Sequence, residues 1–117
     1  MNIEELRLYC LSKKAVTESF PFDEETLVFK VLDKMFLLTN INNELSMNVK
    51  CEEDLAIELR ERYAAVLPGY HMNKRYWNTV RIDGSVCDDL LKEWIDKSYK
   101  LVVEKMPKKK QLELENL

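Results

Sequence analysis

A chain of 117 residues with 46% hydrophobic and 33% charged side chains is long enough to bury its own core and too apolar to be disordered. Its net charge of −3 and pI of about 5.3 argue against tight, nonspecific nucleic-acid binding over the whole surface, while leaving room for a local basic patch. Two glycines and three prolines exclude a solenoid or a chain with long linkers, and point to one domain over residues 1–107 followed by a polar, frayed tail at 108–117. Cys10, Cys51 and Cys87 are widely spaced, form no Cys-x-x-Cys pair and read as free thiols in a reducing compartment. There is no apolar N-terminal stretch typical of a signal peptide and no run of the roughly 20 apolar residues that span a bilayer, so the expected setting is the cytoplasm, without membrane contact.

Residues Asn2 to Lys14 predict a first helix, with Asn2 as N-cap and Glu5 completing a capping box. Ser19-Phe20-Pro21-Phe22-Asp23 interrupts it. Proline stops the helix there, and the two phenylalanines predict a loop packed down on the core. Thr26–Leu32 and Met35–Ile41 read as strands joined by a turn at Asp33-Lys34. After a second turn at Asn42-Asn43 comes a strand with clean alternation. Leu45, Met47 and Val49 face one way and Ser46, Asn48 and Lys50 the other, so one face is buried and one is wet. Glu52 to Val66 predicts a second helix, with acids in its first turn and an apolar stripe of Leu55, Leu59, Tyr63 and Val66. Pro68-Gly69 ends it. Trp77–Ile82 is a further strand. A last helix begins near Ser85, with Asp88 at the capping-box position, and is stopped by Pro107. The sum is an α+β fold in the order α-β-β-β-α-β-β-α, with a mainly antiparallel sheet of four to six strands covered by three helices.

One segment is unlike the rest. Pro68-Gly69-Tyr70-His71-Met72-Asn73-Lys74-Arg75-Tyr76-Trp77-Asn78-Thr79-Val80 gathers the only histidine, two tyrosines, a tryptophan, two asparagines and two adjacent cations. Aromatics interleaved with Lys and Arg stack on bases and pair with phosphates, and asparagine reads base edges or holds a loop backbone. The segment resembles the signature of the MmcQ/YjbR family, in which a helix is followed by P-G-Y-H-M-N-K-x-x-W-N-T-V. The resemblance extends upstream through Phe20-Pro21-Phe22, Thr26–Val31 and Lys34-Met35-Phe36, and downstream through Asp83–Val86 and Asp96–Tyr99. This chain departs from the pattern at Asp33-Lys34, where members often have glycine, and at Cys87, where they often have proline. The resemblance implies a small cytoplasmic bacterial protein with a frataxin-like, double-wing α+β fold, in a family often labelled DNA-binding.

The candidate site is therefore Tyr70, His71, Asn73, Lys74, Arg75, Tyr76, Trp77 and Asn78. Lys74 and Arg75 are expected to contact phosphates, Tyr70, Tyr76 and Trp77 to stack or wedge, and Asn73 and Asn78 to order the loop. The same aromatics also suit a cluster that packs a loop onto the sheet. A lone histidine with no nucleophile near it and no second ligand supports neither catalysis nor metal binding, so no cofactor, metal or enzymatic activity is expected. The leading expectation is a non-enzymatic module that binds DNA weakly and with steep salt dependence. The rivals are a protein-interaction module and a small-molecule binder with a deep pocket of His71, Tyr70 and Asn78. Nothing in the sequence indicates an oligomeric state.

Overall fold

The computed structural model describes residues 1–117. Helix α1 (Ile3–Leu11) opens the chain. Asn2 accepts a hydrogen bond from the Glu5 amide, and the Glu5 carboxylate accepts one from the Asn2 amide, which is the expected capping box. Strands β1 (Val16–Ser19), β2 (Thr26–Val31), β3 (Lys34–Asn40) and β4 (Ser46–Lys50) follow, then α2 (Glu53–Arg62), β5 (Val66–Pro68), β6 (Trp77–Arg81), α3 (Asp88–Glu104) and α4 (Lys108–Glu115). The six strands form one sheet in the order β1-β2-β3-β4-β6-β5, with every neighbouring pair antiparallel.

Alternation along the strands gives the sheet two different faces. Leu27, Phe29, Val31, Leu37, Met47, Val49, Val66 and Val80 point to one side and meet Leu6 and Cys10 of α1 and Leu91, Trp94, Ile95 and Val102 of α3 in the main core. Helix α3 lies across β3 and β4 on this side, and α2 sits beside β5 and β6. A bulge between Phe29 and Lys30 lets Phe36 join the same core, where its ring meets Tyr99 of α3 edge-on at 5.4 Å. Ser98, fully buried on α3, fixes the packing by donating to the Phe36 carbonyl and accepting from the Lys50 amide at 2.8 Å.

Several boundaries differ from the expectation. The β2–β3 turn is Leu32-Asp33, one residue earlier than Asp33-Lys34. Both its residues have positive φ (44° and 69°), the geometry a two-residue hairpin needs to match strand twist. Helix α2 ends at Arg62, because Tyr63 is already extended, and Val66 passes from the helical stripe to β5. There it pairs with Val80 and gives β6 its outer neighbour, with Pro68 at the strand end, where its missing N–H is tolerated. Helix α3 starts at Asp88 with Cys87 as an N-cap that makes no side-chain bond; Asp83 instead accepts from the Ser85 amide and hydroxyl. Strand β1 falls in the stretch between the expected first helix and the expected loop, taking in Ser19, the first residue of that loop. Phe20 and Phe22 do not pack down: they are 46% and 64% exposed. Asp23 accepts from the Glu25 and Thr26 amides, and this turn carries the preceding phenylalanines past the end of the sheet. Residues 108–117, expected as a frayed tail, instead form a fourth helix, which docks because Leu114 enters the main core and Gln111 donates to the Met106 carbonyl.

Candidate functional site

The second face of the sheet has no helix on it. Its small apolar cluster is Val28, Leu38 and Trp77, covered by Met35, Met72 and Tyr76. Met35 comes from β3, while Met72 and Tyr76 come from the loop between β5 and β6, which turns back over its own strands. The Tyr70 amide donates to the Thr79 hydroxyl at 2.9 Å, and Thr79 donates in turn to Asn48 of β4. Gly69 makes the return possible, since a Cβ there would sit 2.8 Å from the Trp77 carbonyl oxygen and 3.1 Å from the Met72 Cβ.

This fold gives most of the distinctive segment a local task. Asn73 accepts from the Arg75 amide through its side chain, and its carbonyl accepts from Tyr76 and Trp77. The Lys74 ammonium donates to the Gly69 carbonyl at 3.0 Å, closing the loop on itself. Arg75 makes a two-pronged ion pair with Glu53 of α2, at 3.2 and 3.1 Å, which raises its pKa. Arg75 is therefore taken up by a carboxylate, whereas Lys74 keeps its charge, since a carbonyl is a neutral acceptor and no carboxylate pairs with it. Trp77 is 8% exposed and Asn78 1%, so neither reaches a ligand from here. Asn78 lies on the opposite, helix-facing side. Its Oδ1 accepts from Arg60 Nε at 2.7 Å, its Nδ2 donates to the Ala56 carbonyl at 3.3 Å, and Arg60 also donates to the Lys74 carbonyl. The pocket of His71, Tyr70 and Asn78 that a small-molecule site required is not formed, and the cavity beside Asn78 holds only about 10 Å³.

Tyr70 and His71 are the two residues of the segment left facing solvent without a structural partner. Tyr70 is 70% exposed, and its ring lies 4.0 Å from the His71 ring, tilted by 52°. His71 holds φ at +58°, a strained backbone for a residue other than glycine. Both line an open trough of about 1230 Å³ over the helix-free face. Its floor is a polar row of Asn40, Ser46, Asn48 and Thr79, and Phe22 stands on the far rim.

Charge divides this face. By register, Lys30, Met35, Lys50 and Trp77 share one end of it. The Lys105 ammonium, from the end of α3, reaches the same end and sits 5.1 Å from the Tyr76 ring centroid, while Arg75 lies 5.7 Å from that ring. Lys30, Lys50 and Lys105 enter no ion pair. Burial lowers the Lys50 pKa, and the Lys105 charge lowers it further. Asp23, Glu44 and Asp83 gather at the other end, with Arg81 near enough to Asp83 to help hold its pKa down, after the Ser85 hydrogen bonds. From the sequence, Lys30 and Lys50 extend a Lys74–Arg75 patch only if their faces agree, and the register places both on this face. Lys105 was missed because it comes from a distant stretch of chain, at the end of α3.

A helix-backed antiparallel sheet, with its other face strapped by one loop and left open as a trough, is the scaffold of an α+β protein built around a surface. The chain belongs to the YjbR family, whose model matches residues 11–101. It is 33% identical over 111 residues to the uncharacterized protein YjbR of Escherichia coli strain K12, covering 94% of each chain. It is 32% identical over 93 residues to the uncharacterized protein YbdF of Escherichia coli O157:H7, covering 79% of this chain and 76% of that one. A crystal structure of a Deinococcus radiodurans protein carrying the domain DUF419 superposes with a TM-score of 0.91 at 41% identity, over 97% of this chain and 87% of its own. A Pseudomonas syringae protein superposes with a TM-score of 0.76 at 25% identity, over 87% and 99%. No helix is long and apolar enough to cross a membrane.

Proposed function

We propose that this chain is a non-enzymatic nucleic-acid-binding module of the YjbR family whose contact surface is the helix-free face of the sheet. The observation that carries the reading is the unpaired lysine group, Lys30, Lys50 and Lys105, beside a trough with the exposed Tyr70 and His71 on its rim. Cations without carboxylate partners at one end of a polar floor suit phosphates, and exposed rings suit bases. The trough is larger than the roughly 300–1,000 Å³ usual for small-ligand sites, which favours a polymer over an enclosed metabolite. A net charge of −3 keeps the affinity weak and salt-sensitive.

The test is fluorescence anisotropy with labelled oligonucleotides over a salt series, on wild type and on Lys50→Ala/Lys105→Ala. The double variant is expected to lower the slope of log K against log salt by roughly 1.5, the value for two lost phosphate contacts. Lys110→Ala, on α4 at the opposite, helix-bearing side, is expected to leave that slope unchanged. Absence of wild-type binding at low salt overturns the reading. A protein partner is the second reading. It is favoured by Phe20, Phe22 and Ile41, which are 46%, 64% and 44% exposed at one end of the sheet.

A further inference from the structure

We infer that the polymer accommodated by the trough is single-stranded nucleic acid, lying with its backbone along the lysine end and its bases turned onto the rim at Tyr70. This rests on the nucleic-acid reading above and names its substrate class.

Three observations favour one strand over a duplex. The first is shape. Double-stranded DNA is read by pushing a convex element, a helix or a ribbon, into a major groove about 12 Å wide. This face is the inverse, a floor between two rims. From β2 to β6 the floor spans three strand spacings, roughly 14 Å, with the Phe22 loop on one side and the Tyr70 loop on the other.

The second is the state of the aromatic rings. Tyr70 is 70% exposed and its side chain makes no hydrogen bond. The fold uses its backbone amide, bound to Thr79, and leaves the ring against His71 and otherwise open to solvent. The exposed part of such a ring stacks on a base whose face is open, which a single strand offers and a paired duplex does not. Tyr76 is different. Its ring is flanked by Arg75 and Lys105, so it orders cations and does not offer a platform. The Ser46 hydroxyl and the amide nitrogens of Asn40 and Asn48, whose oxygens accept from Asn42 and Thr79, are left to meet the unpaired base edges only a single strand presents.

The third is charge. A duplex has two phosphate backbones and a single strand has one. The lysines of this face sit at one end, and Asp23, Glu44 and Asp83 occupy the other, where Arg81 offsets only part of their charge. A second backbone laid over those carboxylates is repelled, whereas neutral bases are not.

The experiment is anisotropy at low salt with three fluorescein-labelled probes of about 15 nucleotides, oligo-dT, oligo-rU and a mixed-sequence duplex. Wild type, Tyr70→Ala and Tyr70→Phe are compared. The expected result is at least tenfold tighter binding of a single strand, DNA or RNA, than of the duplex. Tyr70→Ala is expected to weaken single-strand binding by roughly 5- to 100-fold, the range for one lost stack, with Tyr70→Phe close to wild type. Since the Tyr70 ring is outside both cores, the variant folds, and circular dichroism checks it. Duplex binding as tight as single-strand binding overturns this inference and leaves the nucleic-acid reading standing, as does full single-strand affinity in Tyr70→Ala. Failure of all three probes overturns both.

Discussion

Replacing Asn78 with alanine removes both halves of the clasp between α2 and β6. Asn78 is 1% exposed, and its carboxamide uses its oxygen for Arg60 Nε at 2.7 Å and its nitrogen for the Ala56 carbonyl at 3.3 Å. A hydrogen bond from a charged donor contributes about 1.5–3 kcal/mol, and the longer amide bond contributes less. The truncation also leaves a small void under α2, beside the existing cavity of about 10 Å³. Together these give an expected loss of about 2–4 kcal/mol. Urea denaturation followed by tryptophan fluorescence is the assay, and the midpoint is expected to fall by roughly 1–2 M for a domain of this size. Arg60→Met, and then the double variant, complete a thermodynamic cycle. If the role of Asn78 runs through Arg60, the double variant loses at least about 1 kcal/mol less than the sum of the singles. A loss below about 0.5 kcal/mol for Asn78→Ala, or strict additivity with Arg60→Met, refutes the assignment of Asn78 to the fold.

Gly69→Ala is expected to destabilise by about 1–3 kcal/mol and to blunt the near-ultraviolet circular dichroism of Trp77, because the new methyl meets backbone at 2.8 Å; unchanged spectra refute the close-approach argument. Ser98→Ala leaves the Lys50 amide and the Phe36 carbonyl without their bridge, and is expected to lower stability by about 2 kcal/mol in the same urea assay. Glu18 accepts three hydrogen bonds from Arg7, at 3.0, 2.7 and 2.6 Å, and that contact holds its pKa below the ordinary 4.5. A depressed carboxylate pKa stabilises the fold above the unfolded value and loses that stabilisation as pH falls through the folded one. The urea-midpoint difference between wild type and Glu18→Gln is therefore expected to be small, a few tenths molar at roughly pH 7, and to shrink as pH falls below the ordinary 4.5 and through the lowered folded value. A difference that does not change with pH refutes the ion-pair origin.

The strands that carry the trough were legible where one face is wet. Alternation in Ser46–Lys50 assigned every side chain of β4 to the correct face. The Asn2 capping box was legible because its partners lie three residues apart. Strand β1 was not, since four residues, Val16–Ser19, alternating only between half-buried and exposed, carry too little pattern. Val66 sits three residues after Tyr63, so the same valine satisfies a helical stripe and a strand. The demand of β6 for an outer neighbour, a tertiary fact, decides between them. Helix α4 begins with three lysines and has one buried leucine, Leu114, whose burial depends on a core made elsewhere in the chain.

The site shows a different limit. A segment as distinctive as Pro68–Val80 invites the inference that its unusual residues meet a ligand, and the geometry separates two demands placed on it. Gly69 permits a tight return, Met72 covers Trp77, Asn73 and Lys74 hold the loop's own backbone, Arg75 pairs with Glu53, and Asn78 anchors α2. Each of these tasks needs a polar or aromatic residue at a fixed place, so the composition that looked like a binding patch is largely what strapping a loop over a sheet requires. The carboxylate that pairs with Arg75, Glu53, and the Gly69 carbonyl that takes the Lys74 hydrogen bond become visible only after folding. What remains free is Tyr70 and His71, outward from the strap, together with lysines supplied by β2, β4 and the end of α3. The strap and the surface are thus coupled. The amide of Tyr70, through Thr79 and Asn48, registers the rim against the floor, so a substitution that loosens the strap is expected to blur the trough even where it touches no residue that lines it.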